Sequence, residues 1–342
     1  MASNRLAALA NRRIDAAVAV SKANEVYERL AEDDAIRYAI GAMQPIDQTY
    51  TRNTIAEGER VQSQIDEALR TASLGATFRF QGSVTNDTHI RAHSDIDLLA
   101  IRTAFEWLEP PQVPQTPYHG SPAADMNEVR SIVTARLQSS FPSATVDTSS
   151  SKSISISGGS LRRKVDVVPA AWWNTNTYLT SGDENQRGVK IFDASTEKHI
   201  PNKPFLHNLL VAQRDIFVRG SLRKVARLLK SLKVDADKPV DVSSYDIVSI
   251  AYRMPDALLS VPQGGDLKLV ANSEVWLRTL IENPGTRGLL QVPNEMRLIF
   301  GSDGCSEGGL RQLHAEVVRL LADISSGLAR SFRKLEEARI VY

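Results

Sequence analysis

The chain has 342 residues, of which 42% are hydrophobic and 24% charged, with a formal net charge of +1. That length allows one large two-lobed domain or two modest ones, and the near-neutral balance argues against a general nucleic-acid binder of the histone kind. Cys305 is the only cysteine, which excludes an internal disulfide and points to a reducing compartment.

The opening MASNRLAALANRR lacks an apolar core of signal-peptide length, and no run of ~18 apolar residues occurs, so a cytoplasmic protein with no membrane partner is expected. Residues 5–44 have helical spacing, and a second helical stretch covers 48–74. TFRFQGSV (77–84) predicts a short strand entering a turn, and IDLLAIR (96–102) a second strand. Five prolines between 108 and 123 mark an exposed loop before a helix over 124–140. ATVDT (144–148) and SISIS (153–157) alternate like half-buried strands, RKVDVVPA (163–170) is a third, and KIFDA (190–194) adds a further one. After Pro204 the pattern is helical: 205–219, 222–233, 244–260, 273–282 and 308–338. Helices, then a small sheet, then a helical bundle describe an α+β catalytic lobe (1–200) followed by an α lobe (201–342).

The chemistry concentrates in FQGSVTNDTHIRAHSDIDLLAI. Asp95 and Asp97 open an apolar strand, so they point to one face while Ile96 and Leu98 point to the core. Two carboxylates a few Å apart repel unless a cation lies between them, and hard oxygen ligands suit Mg²⁺. Asp166 sits among Val165, Val167 and Val168, where a charge needs a partner or a metal. If its strand lies beside that of Asp95 and Asp97, three carboxylates converge as in two-metal phosphoryl transfer. Gly82 lets the backbone approach a phosphate closely, and Ser83 offers a hydroxyl and an amide N–H to it. A lone Asp-x-Asp is commonly a solvated strand end. Its combination with Gly-Ser, eleven intervening residues upstream, and a later apolar strand bearing Asp is far more specific.

In the helical half, Arg223, Arg227 and Lys230 share one face of 222–233, opposite Val225, Leu228, Leu229 and Leu232. By pattern alone this is a solvated basic face on a packed helix, and Ser243-Ser244-Tyr245 is a helix N-cap. His89 and His93 are expected in a surface loop, since this chemistry needs no imidazole. Trp172 and Trp173 are expected in packing, and Arg162, Arg163 and Lys164 flank the Asp166 strand.

QGSVTNDTHIRAHSDIDLL and RRKVDVVPA resemble the bacterial cGAS/DncV-like nucleotidyltransferases, relatives of the 2′-5′-oligoadenylate synthetases and cyclic-GMP-AMP synthase. LRKVARLLKSLK (222–233) and DVSSYDIVSIAY (241–252) extend the likeness, so it covers roughly residues 60–255. It implies a two-lobed, polymerase-beta-like nucleotidyltransferase fold, with a small mixed sheet between N-terminal helices and a C-terminal bundle that completes a nucleotide cleft. Asp95, Asp97 and Asp166 would be catalytic residues and ligands of two Mg²⁺ ions, which Mn²⁺ can replace. Gln81, Gly82, Ser83, Lys230, Ser244 and Tyr245 would bind nucleotide, with Lys230 and Ser244 on the triphosphate and Tyr245 stacked on the donor base. The zinc-bearing insertion of cyclic-GMP-AMP synthase cannot be built from one cysteine, which argues against double-stranded-DNA sensing and for the bacterial branch.

The activity so implied joins and cyclises NTPs into a cyclic di- or trinucleotide, releasing pyrophosphate. The product would activate a downstream effector protein in anti-phage (CBASS-type) defence. The alternative is a template-independent nucleotidyltransferase acting on an RNA or protein acceptor. A catalytically dead nucleotide sensor is disfavoured, because all three carboxylates are present.

Overall fold

Seven strands form one mixed sheet in the computed structural model, which describes residues 2–13, 33–90 and 95–340. The strands are β1 (Ala76–Gln81), β2 (Ile96–Leu108), β3 (Thr145–Asp147), β4 (Ile154–Gly158), β5 (Leu161–Asn174), β6 (Gly188–Asp193) and β7 (Lys198–Asn202). The order is β1-β2-β5-β4-β3, with β6 pairing the far half of β5 and β7 pairing β6. Only β2 and β5 run parallel; the other pairs are antiparallel.

The long β2 and β5 form the spine because their apolar runs bury one face fully. Ile96, Leu98 and Ala100 join Val165, Val167, Ile154 and Ile156 in one core. Two helices cover it: α3 (Gln48–Thr71) supplies Val61, Ile65 and Leu69, and α4 (Pro122–Ser140) supplies Val129, Val133 and Leu137. Both triplets fall at i, i+4, i+8, one stripe of a helix. The opposite face carries Asp97, Leu99 and Ile101 on β2 and Asp166, Val168, Ala170 and Trp172 on β5. Its apolar part packs with Val189 and Phe205.

The remaining helices are α1 (Ala2–Arg13), α2 (Asp34–Met43), α5 (Asn176–Ser181), α6 (Pro204–Phe217), α7 (Ser221–Val234), α8 (Ser244–Tyr252), α9 (Asp256–Leu259), α10 (Lys268–Glu282), α11 (Pro284–Leu289) and α12 (Glu307–Ile340). Two compact units result. One comprises Met1–Asp47, Asp87–His93 and Val211–Tyr342; the other comprises Gln48–Asn86 and Ser94–Leu210. Of the N-terminal residues, 2–13 and 33–47 fall in the unit of the C-terminal helices. In that helical unit the Arg5 guanidinium on α1 pairs with buried Glu316 on α12, and Tyr38 donates to Asp235 at 2.9 Å. Tyr38, Ala39 and Met43 share a core with Leu222, Val225 and Leu229 of α7.

Two further details differ from the sequence expectation. The helix read over 244–260 is broken into α8 and α9 at Pro255, which has no N–H to continue the ladder. KHIPN, for which no strand was read, forms β7 although it contains Pro201; among the described residues the strand pairs only β6, so a proline is tolerated at this edge. The part of the 5–44 helix between 14 and 32 lies outside the described residues.

Candidate active site

The register of four strands sets one row of polar side chains across the sheet. Gln81 on β1 stands opposite Asp97 on β2, Asp97 opposite Asp166 on β5, and Asp166 opposite Ser155 on β4. Because β2 and β5 are parallel neighbours, the two carboxylates project from one face. Asp95 lies two residues before Asp97 and is exposed. Ser155 Oγ donates to Asp166 Oδ1, which fixes that carboxylate from the β4 side.

Like charges directly opposite one another destabilise a sheet, and here a cation lies against one of the two, Asp166. Lys164, two residues before Asp166 on the same face of β5, places its Nζ 2.9 Å from Asp166 Oδ2 and 3.1 Å from Asp95 Oδ2. Burial lowers the Lys164 pKa, but hydrogen bonds to Asp166 and Asp95 outweigh it and hold the ammonium above its usual value.

Among the described residues, no group of three or more His, Cys, Asp or Glu side chains is placed to hold a metal ion as it stands. The donor set nonetheless fits a hard dication. Its ligands are carboxylate oxygens, and Lys164 shows that oxygens from Asp95 and Asp166 converge on a single cation.

The turn after β1 is built against this row. Gly82 has φ +82°, and a Cβ there would stand 2.2 Å from Asp97 Oδ2. Glycine lets the turn close over the carboxylate without displacing it. Thr85 Oγ1 donates to the Gly82 carbonyl at 2.9 Å and accepts from Asn208 Nδ2 at 3.0 Å. Ser83 is half-buried within this turn.

After Asn86 the chain enters the helical unit, where Thr88, His89 and Ile90 are buried. The expectation that His89 sits in a surface loop is therefore corrected: it is 2% exposed. The cause is α7. Arg227 Nη1 donates to the Asp87 carbonyl at 2.7 Å, Arg227 Nε to the Met43 carbonyl at 2.9 Å, and Lys230 Nζ to the Thr88 carbonyl at 2.8 Å. A solvated basic face is corrected on the same grounds, since Arg227 and Lys230 are 4% and 2% exposed. Arg223 instead pairs with Asp215 at 3.2 Å. His93 lies outside the described residues.

Ser243, not Ser244, caps α8: its Oγ accepts from the Asp246 amide at 3.0 Å. Ser244 is exposed in the first turn. The Tyr245 hydroxyl donates to Asn294 Oδ1 at 3.2 Å, and the Arg297 guanidinium lies 5.2 Å from its ring centre. Burial pushes the Tyr245 pKa up to about 12. Of the residues singled out from sequence, Gln81, Gly82, Asp97 and Asp166 fall together in the sheet unit, with Asp95 and Ser83 beside them. Lys230, Ser244 and Tyr245 belong to the helical unit. Sequence reading missed Ser155 and the pairing of Lys164. Strand alternation in SISIS and RKVDV places both on the carboxylate face, given the pairing of β4 with β5.

No family model matches the chain. It is 34% identical over 310 residues to the cyclic dinucleotide synthase CdnE of Yersinia aleksiciae, covering 89% of this chain and 78% of that one. The structure of a STING-associated CdnE c-di-GMP synthase from Capnocytophaga granulosa superposes with a TM-score of 0.73 at 24% identity, over 95% of this chain and 99% of that one. Rhodothermus marinus CdnE c-UMP-AMP synthase, solved with Apcpp and Upnpp, gives 0.60 at 17% identity over 82% and 94% of the two chains. These two likenesses are of fold. With the sequence kinship to the Yersinia synthase and the carboxylate row, they show that the chain belongs to the bacterial cGAS/DncV-like nucleotidyltransferases, the cyclic oligonucleotide synthases.

Proposed function

We propose that this chain is a Mg²⁺- or Mn²⁺-dependent synthase of a cyclic dinucleotide, whose product activates a downstream effector protein in anti-phage defence. The observation that carries the reading is the register of Asp97 with Asp166, beside a glycine turn closed against Asp97. Divalent ions held by Asp95, Asp97 and Asp166 would supply Lewis acidity for the attacking hydroxyl and charge neutralisation for the leaving pyrophosphate.

The chain's own groups do the rest. The Gly82-Ser83 turn offers backbone N–H groups and a hydroxyl to the phosphates of the donor. Asp166, oriented by Ser155, aligns the acceptor hydroxyl and accepts its proton. The hydroxyl oxygen bonds to the α-phosphorus of the donor, and the bond to pyrophosphate breaks. A second round on the same linear intermediate closes the ring, with one pyrophosphate released per bond.

We assign Lys230 and Ser244 to the triphosphate and Tyr245 to the donor base. Lys230 donates to the Thr88 carbonyl and Tyr245 to Asn294, so nucleotide binding through them requires re-pairing. Supplying radiolabelled NTPs with Mg²⁺ or Mn²⁺ and then phosphatase tests the proposal. A phosphatase-resistant labelled product supports it, and label recovered only as inorganic phosphate rejects it.

A further inference from the structure

We propose that Lys164 is the resident counter-ion of the carboxylate site, which a divalent ion must displace, so that this one residue sets how much metal the enzyme needs. The inference rests on the reading of Asp95 and Asp166 as metal ligands and adds a competitor for them. Three observations carry it. The ammonium is within hydrogen-bond distance of both carboxylates, 3.1 Å from Asp95 and 2.9 Å from Asp166. The Lys164 side chain is 40% exposed on an unbranched stem, whereas Asp166 is 14% exposed and also held by Ser155. The lysine is therefore the member that can leave, while the carboxylate stays.

The charges dictate the exchange. A monovalent ammonium relieves the repulsion between carboxylates when no metal is bound. A dication binds the same oxygens at shorter distance, about 2.0–2.2 Å for Mg²⁺, and its charge repels an ammonium held beside it. Metal binding thus costs the lysine pairs in the wild type and does not in a chain without the lysine. A guanidinium at this position keeps the charge and the competition, since arginine is always protonated.

Isothermal titration of MnCl2 into the full-length, EDTA-treated, nucleotide-free protein measures this without catalysis. Lys164→Met is expected to bind Mn²⁺ at least about tenfold more tightly than wild type, and Lys164→Arg to resemble wild type. In EDTA, Lys164→Met should melt below wild type and recover more on adding Mn²⁺. The exposed side chain makes loss of folding avoidable, and Lys164→Gln gives the same reading if the methionine variant is insoluble. Equal or weaker Mn²⁺ binding by Lys164→Met overturns the proposal while leaving the metal site intact. Absence of Mn²⁺ binding in wild type and variant alike removes the metal-site reading and the proposal with it.

Discussion

Asp97 and Asp166 are register partners on the only parallel strand pair of the described sheet, so their carboxylates leave one face side by side. A fold seeking stability alone would not put two like charges there. Asp97→Asn should therefore abolish cyclic product, by at least about 10³-fold, as expected for a group whose ionised form acts in the transition state. It should also leave the melting temperature of the metal-free protein unchanged or raised. Parallel assays of product and thermal melting check this pair of outcomes. A variant that loses activity only because it unfolds would speak against a functional role.

Gly82 is the second point of contact with Asp97. Gly82→Ala puts a Cβ 2.2 Å from Asp97 Oδ2 at a backbone φ of +82°. The turn must shift, at a cost of about 1–3 kcal/mol. Activity should fall much further than stability, because the displaced groups are the turn proposed to hold phosphate and the carboxylate beneath it. Denaturant melts beside turnover measurements separate the two effects.

Lys230 has a structural role whatever else it binds. Its ammonium satisfies the Thr88 carbonyl inside the helical unit. Lys230→Met leaves that buried carbonyl without this donor, a loss of about 1–3 kcal/mol. Arg227→Met removes donors to the Met43 and Asp87 carbonyls and should destabilise at least as much. Chemical denaturation without nucleotide reads this holding role. An unchanged midpoint for both variants would show that α7 does not hold the 87–90 segment.

His207 gives the fold an acid limit. It is 4% exposed on α6, and burial lowers its pKa to about 4. The unfolded chain titrates near the usual value of about 6.5. Above that pH both states are neutral and the full stability is present. Between about 6.5 and 4 the unfolded chain takes up a proton that the fold refuses, so stability falls by up to about 3 kcal/mol and then levels off. His207→Gln should flatten this slope in urea melts between pH 7.5 and 4.5; a slope as steep as wild type would exclude His207 as its source.

Much of this was legible in the sequence for physical reasons. Strand alternation put Asp95 and Asp97 on one face, and the valines around Asp166 marked a buried strand. What alternation cannot give is pairing. That β5 lies parallel to β2 with 97 opposite 166, and that Ser155 and Lys164 reach Asp166, depend on long-range register. The helical half misled because amphipathic spacing identifies a basic face without saying what covers it. The face of α7 that looked solvated is buried, with Arg227 and Lys230 bonded to backbone carbonyls of residues 87 and 88. His89 was misplaced for the same reason: a polar loop is buried when another element supplies its hydrogen bonds.

On the proposed function, the chain closes a ring between two nucleotides. Mass spectrometry of the product made from the four NTPs with Mg²⁺ or Mn²⁺ tests it most directly. The expected product has the mass of two nucleoside monophosphates less two waters, with no terminal phosphate, and is absent from Asp97→Asn. Nucleotide recovered covalently on RNA or protein, or only as linear 5′-triphosphorylated oligomers, would contradict it.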